Sequence, residues 1–175
     1  MAYTTIDDPG LYFKTVKYTS NNGSSPRTIS GVGFQPDWVW VKNRDSSDFN
    51  HVAADSVRGL NTFSSPDATN AELTNHAAGF ISSANSDGFV ITAGSSNLSN
   101  YDSGSNKQVA WCWKAGGSAS SNSDGDITSS VSVDQTPGFS IVTYTASSTA
   151  TDTVGHGLGA KPGWIVVKER NGTKK

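Results

Sequence analysis

The chain has 175 residues, of which 34% are hydrophobic and 16% charged, and 13 basic against 15 acidic residues leave a formal net charge of -2. This length predicts one domain, or one and a fraction, with enough chain to bury a hydrophobic core. The balanced charge provides no basic field for nucleic acid or for an anionic membrane, so neither partner is expected. Gly, Ser, Thr, Asn and Asp dominate the polar remainder, which disfavours helices and suits short strands joined by turns.

Short segments rich in β-branched and aromatic residues recur between turn residues and predict strands. In chain order they are residues 12–19, 37–42, 79–83, 89–92, 109–114, 139–145 and 164–168. One short helix is predicted over residues 67–77, because Ser65 or Asp67 provides an N-cap and Gly79 follows the last turn. No apolar run is long enough for a membrane helix or typical of a secretory signal, so membrane insertion is not expected. The predicted fold class is all-β, an antiparallel β-sandwich with at most one or two short helices.

Five tryptophans are predicted to anchor the core: Trp38, Trp40, Trp111, Trp113 and Trp164. In residues 37–42 tryptophans alternate with valines, so both faces of the strand are apolar, as is typical of a central strand. In residues 109–114 the larger face carries the tryptophans and is expected to pack inward. Each buried tryptophan would contribute on the order of 4 kcal/mol through the apolar surface that it removes from water.

An internal repeat is the most informative pattern in the chain. The run 13–44 returns without gaps as the run 139–170, an offset of 126 positions (139 − 13). The matched residues include Phe13/Phe139, Tyr18/Tyr144, Gly31/Gly157, Gly33/Gly159, Trp38/Trp164 and Lys42/Lys168. This offset is far longer than a solenoid or propeller repeat, so the repeating unit is expected to be a domain. The sequence leaves open whether the chain is a piece of a longer protein.

Three parts are predicted from this repeat and from composition. Residues 1–117 form a first β-sandwich module, residues 118–136 a Ser/Gly/Asp-rich linker, and residues 137–175 the start of a second, incomplete module. Because an isolated two-stranded element is marginal in water, the last part must pair with the first module or with a neighbouring subunit. The intersubunit arrangement is favoured.

Motifs for catalysis, cofactor binding or metal binding are not found in the sequence, so no enzymatic activity, cofactor or metal is expected. The histidines lack metal-ligand spacing, and the run Asn122, Asp124, Asp126 lacks the glutamate of a calcium loop and is interpreted as a turn. Cys112 is expected to be a buried, unreactive thiol. Asp55 and Arg58 are the candidates for ligand binding, with a structural ion pair as the favoured interpretation.

Seven blocks of sequence together resemble one known family. They are GVGFQPDWVWVKNR (31–44), DSVRG (55–59), SDGF (86–89), VAWCWKAGG (109–117), SNSDGDITSSVSV (121–133), GFSIVTYT (138–145) and TVGHGLGAKPGWIVVK (153–168). The chain resembles repeated domains in structural proteins of marine phages that infect cyanobacteria and pelagic bacteria. Such domains are often described as domains of unknown function or as lectin-like tail appendages.

The resemblance implies concanavalin-like or jelly-roll β-sandwich modules in tandem. It implies a virion structural protein, assembled in the host cytoplasm, in a tail fibre or related appendage that contacts host surface glycans. The expected partners are other virion proteins and further copies of the chain, with a homotrimer favoured. One alternative is a capsid decoration or head-fibre protein. A second is a glycan-degrading appendage enzyme, for which Asp55, Asp87 and Asp102 would be the available acids.

Overall fold

The computed structural model describes residues 6–23 and 26–172. These residues contain a 3-10 helix (Pro9–Leu11) and a four-residue helix α1 (Ser99–Asp102), and otherwise strands and loops. The strands are β1 (Phe13–Thr19), β2 (Arg27–Ser30), β3 (Trp38–Asn43), β4 (Val52–Asp55), β5 (Thr62–Ser64), β6 (Leu73–Thr74), β7 (Phe80–Asn85), β8 (Gly88–Thr92), β9 (Lys107–Trp113), β10 (Ser120–Asn122), β11 (Ser129–Asp134) and β12 (Phe139–Tyr144). The predicted all-β class is confirmed.

The strands form three antiparallel sheets. The largest has six strands in the order β1-β9-β3-β4-β5-β6, and the two others have the orders β2-β8-β7 and β10-β11-β12. Strand β3 is central, because it pairs with β9 along one edge and with β4 along the other. The prediction that residues 37–42 form a central strand is therefore confirmed. Among the described residues no helix is long and apolar enough to cross a membrane.

The hydrophobic core lies between the six-stranded sheet and the sheet β2-β8-β7, and this packing makes the fold a sandwich. Strands β3, β4 and β9 contribute valine, alanine and cysteine side chains, β5 contributes Phe63, and the facing sheet contributes isoleucine and phenylalanine side chains. The core includes Ile29, Val39, Val41, Val52, Phe63, Ile81, Phe89, Ile91, Leu98, Tyr101, Ala110 and Cys112. Gly88 is required at the edge of β8, because a Cβ there would lie 2.0 Å from the carbonyl oxygen of Ile29.

The tryptophans of β3 and β9 lie on the other face of the six-stranded sheet. Because side chains alternate along a strand, Ala110 and Cys112 point into the core while Trp111 and Trp113 point away from it. All four tryptophans of these strands are half-buried. The prediction that they anchor the core is wrong, since the narrow space between the facing sheets is filled by the smaller residues of each strand. The tryptophans instead form a separate aromatic layer.

Residues 118–136 are not a linker, because they contain β10 and β11. Strand β11 pairs with β12 from Ser129↔Tyr144 to Asp134↔Phe139, and Val131 is buried. The third sheet lies against the aromatic layer: the ring of Phe139 is 5.8 Å from that of Trp38 and stacks on that of Trp113 at 6.0 Å. In residues 130–133, serine alternates with valine at a period of two, which is typical of a strand. The high serine content of the run led to its prediction as a linker.

The helix predicted over residues 67–77 is not formed. Its segment contains turns and the short strand β6. The carboxylate of Asp67, expected to cap this helix, accepts hydrogen bonds from the backbone amide of His51 instead. The segment has too little apolar surface to stabilise a helix by packing.

The strand predicted over residues 164–168 is also not formed, although its counterpart in the repeat is β3. Trp164 is 68% exposed, so its prediction as a core anchor is wrong. The physical reason is that the described residues provide no strand beside this segment, whereas β3 has one on each edge. Strand β12, the counterpart of β1, does form, because β11 is present to pair with it. The assignment of residues 137–175 to a second module stays a prediction.

Candidate functional site

Asp55 and Arg58, the residues predicted from sequence as ligand-binding candidates, lie together in one buried cluster. The Arg58 Nε donates to Asp55 Oδ2 at 2.5 Å, and the other carboxylate oxygen of Asp55 accepts from the Arg58 backbone amide at 2.8 Å. Arg58 Nη1 donates to Ser64 Oγ at 2.6 Å, and its Nη2 donates to the carbonyl oxygen of Ala53 at 2.9 Å. Every nitrogen of the guanidinium thus has an acceptor within the protein. Asp55 and Arg58 therefore form an ion pair, as the favoured interpretation predicted. Ligand binding by these residues stays a prediction.

Glu72 connects this cluster to the end of the described chain. Its carboxylate lies 3.3 Å from Arg58 Nη1 and 2.7 Å from Arg170 Nη2. The Glu72 amide also donates to the carbonyl oxygen of Arg170 at 2.9 Å. Burial raises the pKa of the Glu72 carboxyl, but hydrogen bonds and charges from the two arginines outweigh burial and hold that pKa below its ordinary value. Residue 170 is therefore attached to the first module across a long sequence separation.

The first copy of the repeat contains a turn that binds a carboxylate. Gly31 and Gly33 have φ values of 89° and 83°, and their amides donate to Asp87 at 3.1 and 2.8 Å. The Val32 amide between them donates to the Asp87 backbone carbonyl at 3.0 Å. The hydrogen bonds from Gly33 and Gly31 lower the pKa of the exposed Asp87 carboxyl. Hydrogen bonds between residues 31–33 and Asp87 thus connect the turn before β3 to the β7–β8 hairpin.

The second copy repeats this turn without its carboxylate. Gly157 and Gly159 have φ values of 73° and 69°, in the same left-handed region as their counterparts. The hydrogen bonds of the described residues include no acceptor for either amide, although the intervening Leu158 amide donates to His156 Nδ1 at 3.2 Å. These residues line an open groove of about 550 Å³, together with Lys161 and others. Within the described residues, the amides of Gly157 and Gly159 therefore donate no hydrogen bond to a carboxylate, although Asp124 lines the same groove.

An exposed apolar segment follows this turn. Trp164, Ile165, Val166 and Val167 are 68%, 68%, 43% and 67% exposed. Their counterparts in the first copy include Val39 and Val41, both fully buried between two strands. Exposed apolar patches are often interaction sites in folded proteins. Residues 164–167 form this exposed apolar segment.

A groove of about 370 Å³ lined by hydroxyl groups crosses the third sheet. Ser121, Ser130 and Thr143 lie side by side on β10, β11 and β12, in a single row of paired residues. The lining also includes Tyr144, which is 40% exposed, together with Thr128, Ser129, Thr145 and Arg170. Sequence reasoning missed these residues, because the serine-rich run was interpreted as a linker. The alternation of serine and valine in residues 129–133 was the signal that could have identified them.

The run 122–126 and Cys112, which were also considered from the sequence, lie at a strand connection and in the core. Asp126 accepts hydrogen bonds from the hydroxyl and the backbone amide of Thr153, and these two bonds lower the pKa of its carboxyl. Asn122 ends β10, and residues 123–126 lie in the β10–β11 connection, where a turn was predicted. Cys112 is fully buried, as predicted, and burial raises the pKa of its thiol to about 12. Among the described residues no group of three or more His, Cys, Asp or Glu side chains converges as a metal site would require.

Comparison with known proteins yields one match, and it covers nearly the whole chain. Residues 8–175 match the family described as a domain of unknown function, DUF7483. No curated protein and no solved structure matches the chain. The match includes both copies of the repeat, the carboxylate-binding turn and the third sheet. The chain therefore belongs to the DUF7483 family.

Proposed function

We propose that this protein is a non-catalytic structural component of a phage virion, in a tail fibre or a related appendage, and that it works together with other virion proteins as a homotrimer. The observation that carries the structural role is the duplicated β unit whose second copy exposes the apolar segment at residues 164–167. Such a surface is suited to contact with another polypeptide. The place in a virion appendage rests on the resemblance of seven sequence blocks to marine phage domains.

A non-catalytic role is supported by the state of the acidic residues. Glycoside hydrolysis needs two carboxylates on either side of the scissile bond. Asp55 is paired with Arg58, Asp102 with Arg27 at 2.6 Å, and Asp87 with two backbone amides. Each of these three acids is thus engaged in holding a loop or a turn. They lie at the end of β4, at the end of α1 and in the β7–β8 hairpin.

Contact with host surface glycans is supported by the hydroxyl-lined groove of the third sheet. Within the described residues, Ser121, Ser130 and Thr143 donate no side-chain hydrogen bond, so their hydroxyls are available to a polyhydroxylated ligand. Tyr144 lines the same groove from the end of β12, and Arg170 adds further hydrogen-bond donors. This combination of a few polar groups and one ring is typical of a site that orients a small polar ligand.

The place on the particle is tested by quantitative mass spectrometry and immunogold electron microscopy of purified virions. The proposal expects labelling at the tail and a copy number that is a low multiple of three. Labelling over the head with on the order of hundreds of copies would favour the capsid decoration or head-fibre alternative. Absence of the protein from the particle would refute the virion role altogether.

Glycan contact is tested with isolated host surface polysaccharide and two matched variants. Tyr144→Ala is expected to weaken binding roughly tenfold, because it removes an aromatic contact worth about 1.4 kcal/mol. Tyr12→Ala, at a half-buried tyrosine that does not line the groove, is the control and is expected to bind like the wild-type protein. Equal affinity of all three proteins would contradict the assignment of the groove. Release of reducing ends would support the glycan-degrading alternative instead.

A further inference from the structure

We infer that residues 153–167 form a docking site for a β-polypeptide segment that carries a Ser-Asp-Gly turn followed by an alternating apolar strand. In this chain, residues 86–113 show that pattern, since the turn at residues 86–88 is followed by the apolar strand β9. The proposed occupant is a segment of this kind from another β unit of the same family, in which the counterpart of β9 is not yet paired with a counterpart of β3. The inference deepens the proposed structural role by naming the partner, and it rests on the internal repeat and not on the place in the virion.

The turn at Gly157 and Gly159 provides the first half of the site. In the first copy the equivalent amides hold the Asp87 carboxylate at 3.1 and 2.8 Å. The second copy keeps both glycines in the left-handed region, where two successive donors can converge on one anion. Lys161 lines the same groove and adds positive charge, while the nearby Asp124 carboxylate is held by the Asn122 side chain at 2.8 Å. Because the charges of Lys161 and Asp124 offset each other, the feature that suits an incoming carboxylate is the pair of amides of Gly157 and Gly159.

The exposed apolar segment provides the second half. Its counterpart in the first copy pairs with β9, where Trp38 lies opposite Trp113 and Val39 opposite Cys112. In the second copy Ile165 and Val167 replace Val39 and Val41, which are fully buried, yet both are about two-thirds exposed. An apolar strand without neighbours leaves its backbone groups and side chains ready for strand addition. An added strand with the β9 pattern would satisfy both.

The folded first module of a second copy cannot be the donor. Its β9 already lies between β1 and β3, and its Asp87 is already bound to Gly31 and Gly33. Donation from there would break the core that contains Ala110 and Cys112. The donor must therefore be a segment of this type whose own counterpart of β3 is missing. Residues 164–167 correspond to residues 38–41 of β3 and would supply that missing strand. Gly157 and Gly159 correspond to Gly31 and Gly33 and would bind the carboxylate of the donor.

The direct experiment completes the second copy with the chain's own sequence. Residues 50–117 are appended after Lys175, which preserves the offset of 126 positions (176 − 126 = 50). Hydrogen exchange of the Ile165 and Val167 amides is then compared with that of the chain alone. The inference expects about a hundredfold slower exchange in the extended chain and a blue-shifted Trp164 fluorescence. Unchanged exchange counts against the inference.

Two controls separate the two halves of the site. The same appended segment carrying Asp87→Asn is expected to lose much of the protection at Gly157 and Gly159. An Ile165→Lys variant of the extended chain is expected to lose the strand protection, while its first module unfolds at the same urea concentration. Loss of neither protection in these variants would show that a different contact produces the effect, and would overturn the assignment.

A second arm covers the case in which the extended chain fails to fold. Residues 50–117 are produced separately and added in trans to the intact chain, and the amide signals of Gly157, Gly159 and Ile165 are followed by NMR. Saturable shifts at these amides support the inference, and no shift together with no protection in the fused chain overturns it. Protection that grows with the concentration of the chain alone would identify a second copy as the occupant and contradict the inference. Neither result depends on virion labelling or on glycan binding.

Discussion

Arg58 holds three parts of the chain together through one side chain. It is paired with Asp55 at the end of β4, with Ser64 on β5 and with Glu72 before β6. The side chains of Arg58 and Asp55 are only 10% and 6% exposed, so each charge relies on the other for compensation. The cluster is thus a structural clamp in the part of the six-stranded sheet farthest from β1.

Replacing this arginine tests the clamp. Arg58→Ala is expected to lower the free energy of unfolding by about 3 kcal/mol, because it leaves the buried Asp55 carboxylate without its partner. Urea unfolding followed by tryptophan fluorescence measures this change. Arg44→Ala, at an exposed arginine, is the control and should remain within about 0.5 kcal/mol of the wild-type protein. A similarly small effect for Arg58→Ala would show that the cluster contributes nothing to stability.

Asp87 predicts a specific pH dependence of stability. Its pKa in the folded protein lies below the ordinary value of 3.8, because the Gly33 and Gly31 amides favour the charged form. A carboxyl with a lowered folded pKa contributes stability above its unfolded pKa and loses it as the pH falls through the folded pKa. Asp87→Asn should therefore be less stable than the wild-type protein at neutral pH, and the difference should shrink towards strongly acidic pH.

Urea unfolding at a series of pH values measures this difference. Asp48→Asn serves as the control, since within the described residues the Asp48 side chain makes no hydrogen bond. It is expected to follow the wild-type curve throughout. A difference between Asp87→Asn and the wild-type protein that is the same at neutral and at acidic pH would argue against a charged Asp87 in the turn.

Some residue roles were predictable from sequence, and others were not. The spacing of Asp55 and Arg58 within a single turn predicts an ion pair, and the pair is present. The role of Asp87 was not predictable, because its partners Gly31 and Gly33 are more than fifty positions away. Sequence alone places a turn at Asp87, which the β7–β8 hairpin confirms, but it cannot identify which amides the carboxylate meets.

At the scale of elements, the third sheet is attached to the six-stranded sheet through an aromatic contact. Phe139, the first residue of β12, contacts Trp38 and Trp113. The backbone also approaches closely there, since a Cβ on Gly116 would lie 2.3 Å from the carbonyl oxygen of Val133. Strands β10, β11 and β12 therefore belong to the same packed body as β3 and β9.

Removal of the Phe139 ring tests that attachment. Phe139→Ala is expected to lower the free energy of unfolding by about 2 kcal/mol, because a half-buried ring loses its contacts with two tryptophans. The near-UV circular dichroism of the tryptophans should weaken at the same time. Tyr144→Ala, on the same strand and 40% exposed, is the control and should leave both measurements nearly unchanged. An unaltered near-UV spectrum for Phe139→Ala would mean that the third sheet is not packed on the aromatic layer.

Periodicity in the sequence predicted most strands but not the direction in which their faces point. Alternating valine and tryptophan in β3 makes both faces apolar, so pattern alone cannot say which one meets the second sheet. Packing decides in favour of the smaller residues, and the tryptophans of β9 follow the same rule. The serine-rich strands β10 and β11 were missed because their side chains are polar, although their backbone pairs regularly with β12.

At the scale of the whole molecule, the internal repeat explains why similar sequences have different structures in the two copies. Strand β3 pairs with β9 on one edge and with β4 on the other. Within the described residues, no counterpart of either strand lies beside residues 164–167. The repeat was visible in the sequence, and its second copy was predicted to be incomplete. The exposure of Trp164 follows from both, since a strand requires a neighbour to satisfy its backbone groups.

Hydrogen exchange of the backbone amides tests this account most directly, by comparing Ile165 and Val167 with their counterparts Val39 and Val41 in the chain of 175 residues. Strong protection is expected for the first-copy pair, which lies in the centre of a six-stranded sheet. Exchange close to that of an unfolded peptide is expected for Ile165 and Val167, because no strand lies beside them in the described part of the chain. Comparable protection at all four amides would contradict it.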